Sequence, residues 1–225
     1  MSLAASGDGG LDLFRFSDAP VFERLNLHRK GAVLISITHL GHACVLAEVS
    51  GGPRILFDPG TYSAGFEDLT GLDAILITHE HPDHYDQDRL PSLAKANPDA
   101  PVVVAGDAGA AGADALPGTH AVIHPDIPAI PNTAYQLGDL LFHPGDSFTL
   151  PSGPVRILLL PTGGPWMKAG EAIDYLRAVA PEIAIPIHQA GLAAIHQQLH
   201  YGLFRGLGPS GTAIHVLEQG TPAAF

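Results

Sequence analysis

The chain is poor in cysteine and in positive charge, and it has no long apolar run. Cys44 is the single cysteine among 225 residues, so no internal disulfide can form and no cluster of thiolates can hold a metal. Any metal must be bound by histidine and carboxylate. Lysine and arginine number 11 against 23 aspartates and glutamates, for a formal net charge of −12, which opposes a phosphate backbone and argues against a nucleic-acid partner. The longest apolar stretches, such as residues 155–160, fall far short of the roughly 20 residues that span a bilayer. Residues 1–30 contain acids and no hydrophobic segment of the secretory type. The expectation is a cytoplasmic protein with no membrane partner, acting on a small molecule; the oligomeric state is not legible.

What is present is a 46% hydrophobic chain, enough to bury one sizeable core. The reading is an irregular N-terminal extension over 1–30 and a single domain over 31–225. Short β-branched and aliphatic runs bounded by glycine and proline predict strands near 33–38, 43–49, 54–58, 74–78, 102–105, 134–137, 140–143, 155–160, 183–187 and 213–217. Helical spacing predicts helices over 87–96, with Asp86 as N-cap, over 171–179 and over 192–199. The glycine- and alanine-rich stretch 106–118 reads as a loop. The order is hairpin-rich β, helix, β, then β, helix, β, an α/β pattern of two packed sheets with helices outside.

Histidine is the compositional oddity: there are 13, more than the lysines and arginines together. Three of them fall in "ITHEHPDHYD", residues 77–86, where His79, His81, Asp83 and His84 follow directly on a buried strand and Pro82 breaks any ladder. A loop at a strand end is held rigid by the sheet while its backbone turns freely. Four metal-capable side chains in six residues can converge on two neighbouring points there. Imidazole with carboxylate suits zinc, iron or manganese with a position left open for water. A histidine-rich surface loop is the bland alternative, and the full His-x-His-x-Asp-His pattern is far more specific than a lone His-x-His.

That pattern resembles the signature of the metallo-β-lactamase superfamily, and other motifs follow in the superfamily's order from about residue 34 to residue 218. The resemblance implies a four-layer αββα sandwich of two mixed β-sheets flanked by helices. It implies two divalent cations, zinc foremost with Mn2+ or Fe2+ as alternatives, and a water between them that hydrolyses the substrate. The ligands it implies are His79, His81, Asp83, His84, Asp146 of "HPGDS" as the bridge, His188 of "IPIH", and one more histidine, His120 in preference to His124. Asp83 and Asp146 are then the proton-relaying catalytic carboxylates. Asp58 of "LFDPG" supports the metal loop, His42 of "LGHACV", His143 and, if it is not a ligand, His124 line or support the pocket, and Trp166 with Met167 forms a lid or packs on the core. "LGHACV", "HAVIHPDIP", "HPGDS" and "GGPWM" together are similar to the branch of small bacterial hydrolases related to L-ascorbate-6-phosphate lactonase. The weakly hydrophobic 106–118 segment departs from the family by being short of strand, which puts His120 and the sheet edge in doubt. A metal-binding but catalytically silent sensor or structural module is the competing reading.

Overall fold

The computed structural model describes residues 34–106 and 108–225; the extension expected over 1–30 lies outside them. Two six-stranded sheets pack face to face. The first has the order β12-β1-β2-β3-β4-β5 and the second β11-β10-β9-β8-β7-β6. The strands are β1 Ile35–Gly41, β2 Cys44–Val49, β3 Arg54–Phe57, β4 Ala74–Ile77, β5 Val102–Val104, β6 Asp114–Thr119, β7 Pro131–Leu137, β8 Leu141–His143, β9 Ile157–Pro161, β10 Ile183–Ile187, β11 Ala213–Ile214 and β12 Pro222–Ala224. Three helices, α1 Leu90–Ala96, α2 Ala169–Val179 and α3 Ala194–Leu207, complete the described domain. It is an α/β fold of two mixed sheets flanked by helices.

Strand alternation explains the layers, because successive side chains point to opposite faces. In β3, Ile55 and Phe57 enter the core between the sheets, whereas Leu56 faces outward with Leu90 and Leu93 of α1. In β4, Ala74 and Leu76 face in while Ile75 and Ile77 face α1. The second sheet repeats the rule: Ile157 and Leu159 of β9 point to the inter-sheet core, and Leu158 and Leu160 point to Ala172, Leu176, Tyr201 and Phe204 of α2 and α3. These strands are apolar on both faces because both faces are covered.

Two differences from the sequence expectation concern sheet edges. The stretch 106–118 is not loop throughout: Asp114–Thr119 forms β6, paired antiparallel with β7 from Asp114↔Gln136 to Thr119↔Pro131. An edge strand is held by backbone hydrogen bonds on one side and needs little side-chain burial, so its weak hydrophobicity, and Pro117 within it, are compatible with pairing. Strand β12 was not anticipated either; its three residues pair with β1 at Ser36↔Ala224 to Thr38↔Pro222, too short a run to show a period. Asp86 does cap, but four residues before α1: its side chain accepts the backbone N–H groups of Asp88 and Arg89 at 3.0 and 2.9 Å.

Parallel pairing of β3, β4 and β5, and of β8, β9, β10 and β11, brings their C-terminal ends to one edge of each sheet. Cross-sheet bonds join the two edges there. Thr133 N–H donates to Thr78 C=O at 2.8 Å and His188 N–H to His42 C=O at 2.7 Å.

Candidate metal centre

Each functional side chain sits where a strand stops. His79 to His84 follow β4, and the loop folds back through the N–H groups of His84 and Tyr85, which both donate to His81 C=O at 3.0 and 2.9 Å. Asp58 follows β3, His120 follows β6, Asp146 follows β8, Trp166 follows β9 and His188 follows β10. Three of the backbones involved have positive φ without being glycine: His42 at 50°, Asp58 at 46° and His188 at 60°. Such a conformation costs energy, and its concentration at one sheet edge marks a place where side-chain direction has been set against local preference. Gly60 of "LFDPG" is required by close approach, since a Cβ there would lie 1.9 Å from Asp83 C=O.

The side chains converge as two groups. His79, His81, His120 and Asp146 form one, and His42, Asp83, His84 and His188 form the other; in each, the candidate ligand atoms lie within 4.8 Å of one another. Asp146 reaches both, with Oδ2 at 3.2 Å from His120 Nε2 and 3.1 Å from His188 Nε2, and Oδ1 at 3.2 Å from His84 Nε2. His124 joins neither group. Its side chain is 61% exposed and lies 3.5 Å from Asp126, because a turn closed by Ile127 N–H to His124 C=O carries it outward; the suggestion that it lines the pocket or ligates is corrected.

Hydrogen bonds on the far side of each ring decide which nitrogen faces inward. His84 Nδ1 donates to Asp58 Oδ2 at 2.7 Å, and His120 Nδ1 donates to Ala121 C=O at 2.5 Å. His188 Nδ1 donates to Gly163 C=O. The Thr78 hydroxyl donates to Asp58 Oδ2 at 2.8 Å, so it accepts from His79 Nδ1 at 3.0 Å. In all four rings Nδ1 carries a proton and Nε2 points into the site, the arrangement that orients metal-binding imidazoles. His42 is wired in the opposite sense. Its Nδ1 accepts from Ala190 N–H at 3.3 Å, which leaves the Nε2 proton to be donated to Asp83 Oδ2 at 3.0 Å.

These atoms fit a metal. His84 Nε2, His120 Nε2, His188 Nε2 and Asp146 Oδ1 are buried and make no well-directed hydrogen bond; the three nitrogens stand 3.1–3.2 Å from Asp146 oxygens in ion-pair contact only, although buried polar atoms are nearly always satisfied. Ligand atoms about 2.0–2.2 Å from a tetrahedral zinc lie roughly 3.4 Å from each other. The observed separations are of that size: 3.1 Å for His79 Nε2 to His81 Nδ1, 3.6 Å for His188 Nε2 to Asp83 Oδ2 and 3.9 Å for His84 Nε2 to Asp83 Oδ2. His42 Nε2 is already satisfied, so it fits as a donor to Asp83 and not as a ligand.

Burial and mutual charge shape the ionisation of the metal-free centre. Burial, with the charge of His84, pushes His79 down to about 2, and burial with His120 lowers His81. His42 is lowered by burial, only partly offset by Asp83. Burial opposes charge on His188, but Asp146 and Asp83 outweigh it and raise the ring to about 9. His84 is likewise raised, against complete burial, by Asp146 and Asp58. Burial would also raise Asp83 and Asp146, yet the surrounding histidines hold both below the usual carboxylate range.

A further layer supports these groups. Asp58 also accepts Thr78 N–H at 2.7 Å. Asn132 Oδ1 accepts Asp146 N–H at 3.0 Å, and Trp166 Nε1 donates to Asp146 Oδ2 at 2.7 Å. Trp166 is buried and holds the Asp146 carboxylate, so its role is polar as well as apolar. His143 lies beneath the site, where its Nδ1 accepts Gly145 N–H at 3.1 Å. Asn132, Thr78 and the Ala190 amide escaped the sequence reading because no motif distinguishes them.

The family model of the beta-lactamase superfamily domain matches residues 36–188, and the chain belongs to that family. It is 47% identical over 215 residues to Protein Rv0786c of Mycobacterium tuberculosis, covering 85% of this chain and 100% of that protein. It is 27% identical over 195 residues to a UPF0173 metal-dependent hydrolase of Pyrococcus furiosus, covering 69% and 84%. Among solved structures, Igni18, a metallo hydrolase of Ignicoccus hospitalis, shares the fold with a TM-score of 0.60 at 21% identity, covering 85% of this chain and 98% of that one.

Proposed function

We propose that the chain is a metal-dependent hydrolase that holds two divalent cations, zinc foremost and manganese or iron(II) as alternatives. Its substrate is a small polar or anionic metabolite, a lactone or a phosphoester. The observation that carries this reading is the set of buried nitrogen and oxygen atoms on His84, His120, His188 and Asp146 that make no well-directed hydrogen bond and crowd within ion-pair distance around Asp146. When bound, the cations would supply Lewis acidity, which lowers the pKa of water toward neutrality and polarises the scissile group.

The chain's own residues do the rest. His79, His81, His120 and Asp146 would hold one cation, and Asp83, His84 and His188 the other. Asp83, whose side chain is 23% exposed, is the more solvent-accessible of the two carboxylates and would accept a proton there, with the His42 Nε2–H keeping its Oδ2 oriented. Two divalent cations bring four positive charges against two from Asp83 and Asp146, so the mouth attracts an anion even in a chain of net charge −12. The similarity to a metal-dependent hydrolase of Pyrococcus furiosus favours hydrolysis, and the motif resemblance to the L-ascorbate-6-phosphate lactonase branch favours such a bond; the setting we propose is the cytoplasm. Among the described residues no helix is long and apolar enough to cross a membrane.

Elemental analysis of the purified protein, with turnover measured on a panel of lactones and phosphodiesters, tests this. The expected result is two cations per chain with hydrolysis, falling to one cation and no hydrolysis in His188→Ala. One cation per chain with no turnover would instead establish the silent metal-binding module.

A further inference from the structure

We propose that Trp166 is a positioning residue of the centre: its indole N–H fixes the rotation of the Asp146 carboxylate, so that this carboxylate still faces both ligand groups once cations occupy the imidazoles around it. The inference rests on the two-cation reading above and adds the residue that keeps the shared acid in place.

The surroundings of Asp146 single out the indole. Its oxygens lie 3.2 Å from His84 Nε2 and from His120 Nε2, 3.1 Å from His188 Nε2 and 3.9 Å from His79 Nε2, and all four histidines are themselves candidate ligands. A cation that takes an imidazole lone pair removes that ring from the partners of the carboxylate. Trp166 is different in kind, because an indole nitrogen can donate a proton but offers no lone pair to a metal. Its Nε1 stands 2.7 Å from Asp146 Oδ2, the short separation of a hydrogen bond to a charged acceptor. It is thus a donor that the cations cannot claim. A carboxylate has about four lone-pair sites; the indole uses one on Oδ2 and leaves enough for two cations.

The chain holds the indole in place for this purpose. Trp166 is 7% exposed, and its ring meets those of Phe148, His120 and His188 at steep angles, with centroids 5.2, 6.0 and 6.2 Å away. Gly164 makes the room, since a Cβ there would lie 2.7 Å from Trp166 Nε1 and 3.2 Å from His188 Cε1. The turn closes through Met167 N–H, which donates to Gly164 C=O at 3.3 Å. In the same turn the C=O of Gly163 accepts His188 Nδ1–H. One turn between β9 and α2 therefore orients a member of each ligand group, Asp146 of one and His188 of the other.

Trp166 is the single tryptophan of the chain, which makes the test specific. Replacing tryptophan with benzothienylalanine, which keeps the bicyclic shape but has sulfur in place of N–H, alters position 166 alone. Chelator competition with zinc measures affinity, and circular dichroism checks the fold. The expected result is a folded protein whose zinc affinity falls about 10- to 100-fold, in Trp166→Phe and in the benzothienylalanine chain alike. A second measurement needs no variant: the lone indole N–H resonance in 1H–15N spectra should lie downfield, as a bond to a carboxylate requires, both before and after zinc is added. A loss of affinity confined to Trp166→Phe, with the benzothienylalanine chain binding like wild type, assigns the residue to packing and overturns the inference. So does an indole resonance that moves to the position of unbonded tryptophan once zinc is bound. Loss of affinity in both variants, in a protein that turns over no lactone or phosphodiester, keeps the positioning role and removes the hydrolytic reading. Turnover with affinity unchanged in both variants does the reverse, and a wild-type chain that takes up no zinc overturns both.

Discussion

Replacement of Asp58 by asparagine isolates the role of the layer behind the ligands. Asp58 is fully buried, and its oxygens accept Thr78 N–H, the Thr78 hydroxyl and His84 Nδ1–H at 2.7, 2.8 and 2.7 Å. In Asp58→Asn the amide oxygen stays with the Thr78 backbone N–H, and the NH2 group then faces the hydroxyl and His84 Nδ1. The hydroxyl can rotate to accept. His84 cannot donate to an NH2 group, so its proton moves to Nε2, the atom that would otherwise meet a cation. Loss of such an outer partner lowers metal affinity about 10- to 100-fold, equivalent to about 1.4–2.8 kcal/mol, and removal of the carboxylate charge acts in the same direction. Competition against a chelator at pH 7 measures the affinity, circular dichroism checks the fold, and long-range 1H–15N correlation spectra of the zinc-loaded protein report which His84 nitrogen is protonated. Zinc affinity within twofold of wild type, with His84 still protonated at Nδ1, would refute the tautomer argument.

Other outcomes follow from the same geometry. His42→Ala should leave two cations per chain yet lower kcat by about tenfold or more, since a hydrogen bond to a charged group contributes about 1.5–3 kcal/mol; His42→Gln, which keeps a donor, should recover most of it, and a drop in metal stoichiometry in either variant would make His42 a ligand instead. In the metal-free protein the folded value of His188 is raised to about 9, above its ordinary 6.5, so the stability gained from its pairing with Asp146 is complete below pH 6.5 and disappears as pH rises through 9. Cation binding at pH 7 must therefore expel a proton from His188, and zinc titrations in buffers of differing ionisation enthalpy should detect its release and a tighter complex at higher pH. Gly60→Ala places a Cβ 1.9 Å from Asp83 C=O; displacement of the 79–84 loop should lower zinc affinity at least tenfold, as read by chelator competition, with helical and strand signals retained.

The strands and the loop motif were legible because their signals are local. Continuous aliphatic runs such as Ile183–Ile187 carry their own pattern, and His79, His81, Asp83 and His84 stand within six residues of one another. The edges were not: β6 and β12 are held by backbone pairing, which leaves little trace in side-chain chemistry. The choice between His120 and His124 also lay beyond the sequence. Both stand within the one short segment "HAVIHPDIP", and only the turn at 124–127 and the bond from Ala121 N–H to Asp146 C=O separate the one facing Asp146 from the one facing water.

What the order of residues alone determined is the inventory: histidine and carboxylate in place of thiolate, an apolar content sufficient for one core, and a strand-end cluster able to bind cations. The folded chain decided direction. Whether an imidazole presents a lone pair or a proton depends on what lies behind it, and those partners come from residues remote in sequence: Asp58 behind His84, Gly163 behind His188 and Ala190 behind His42.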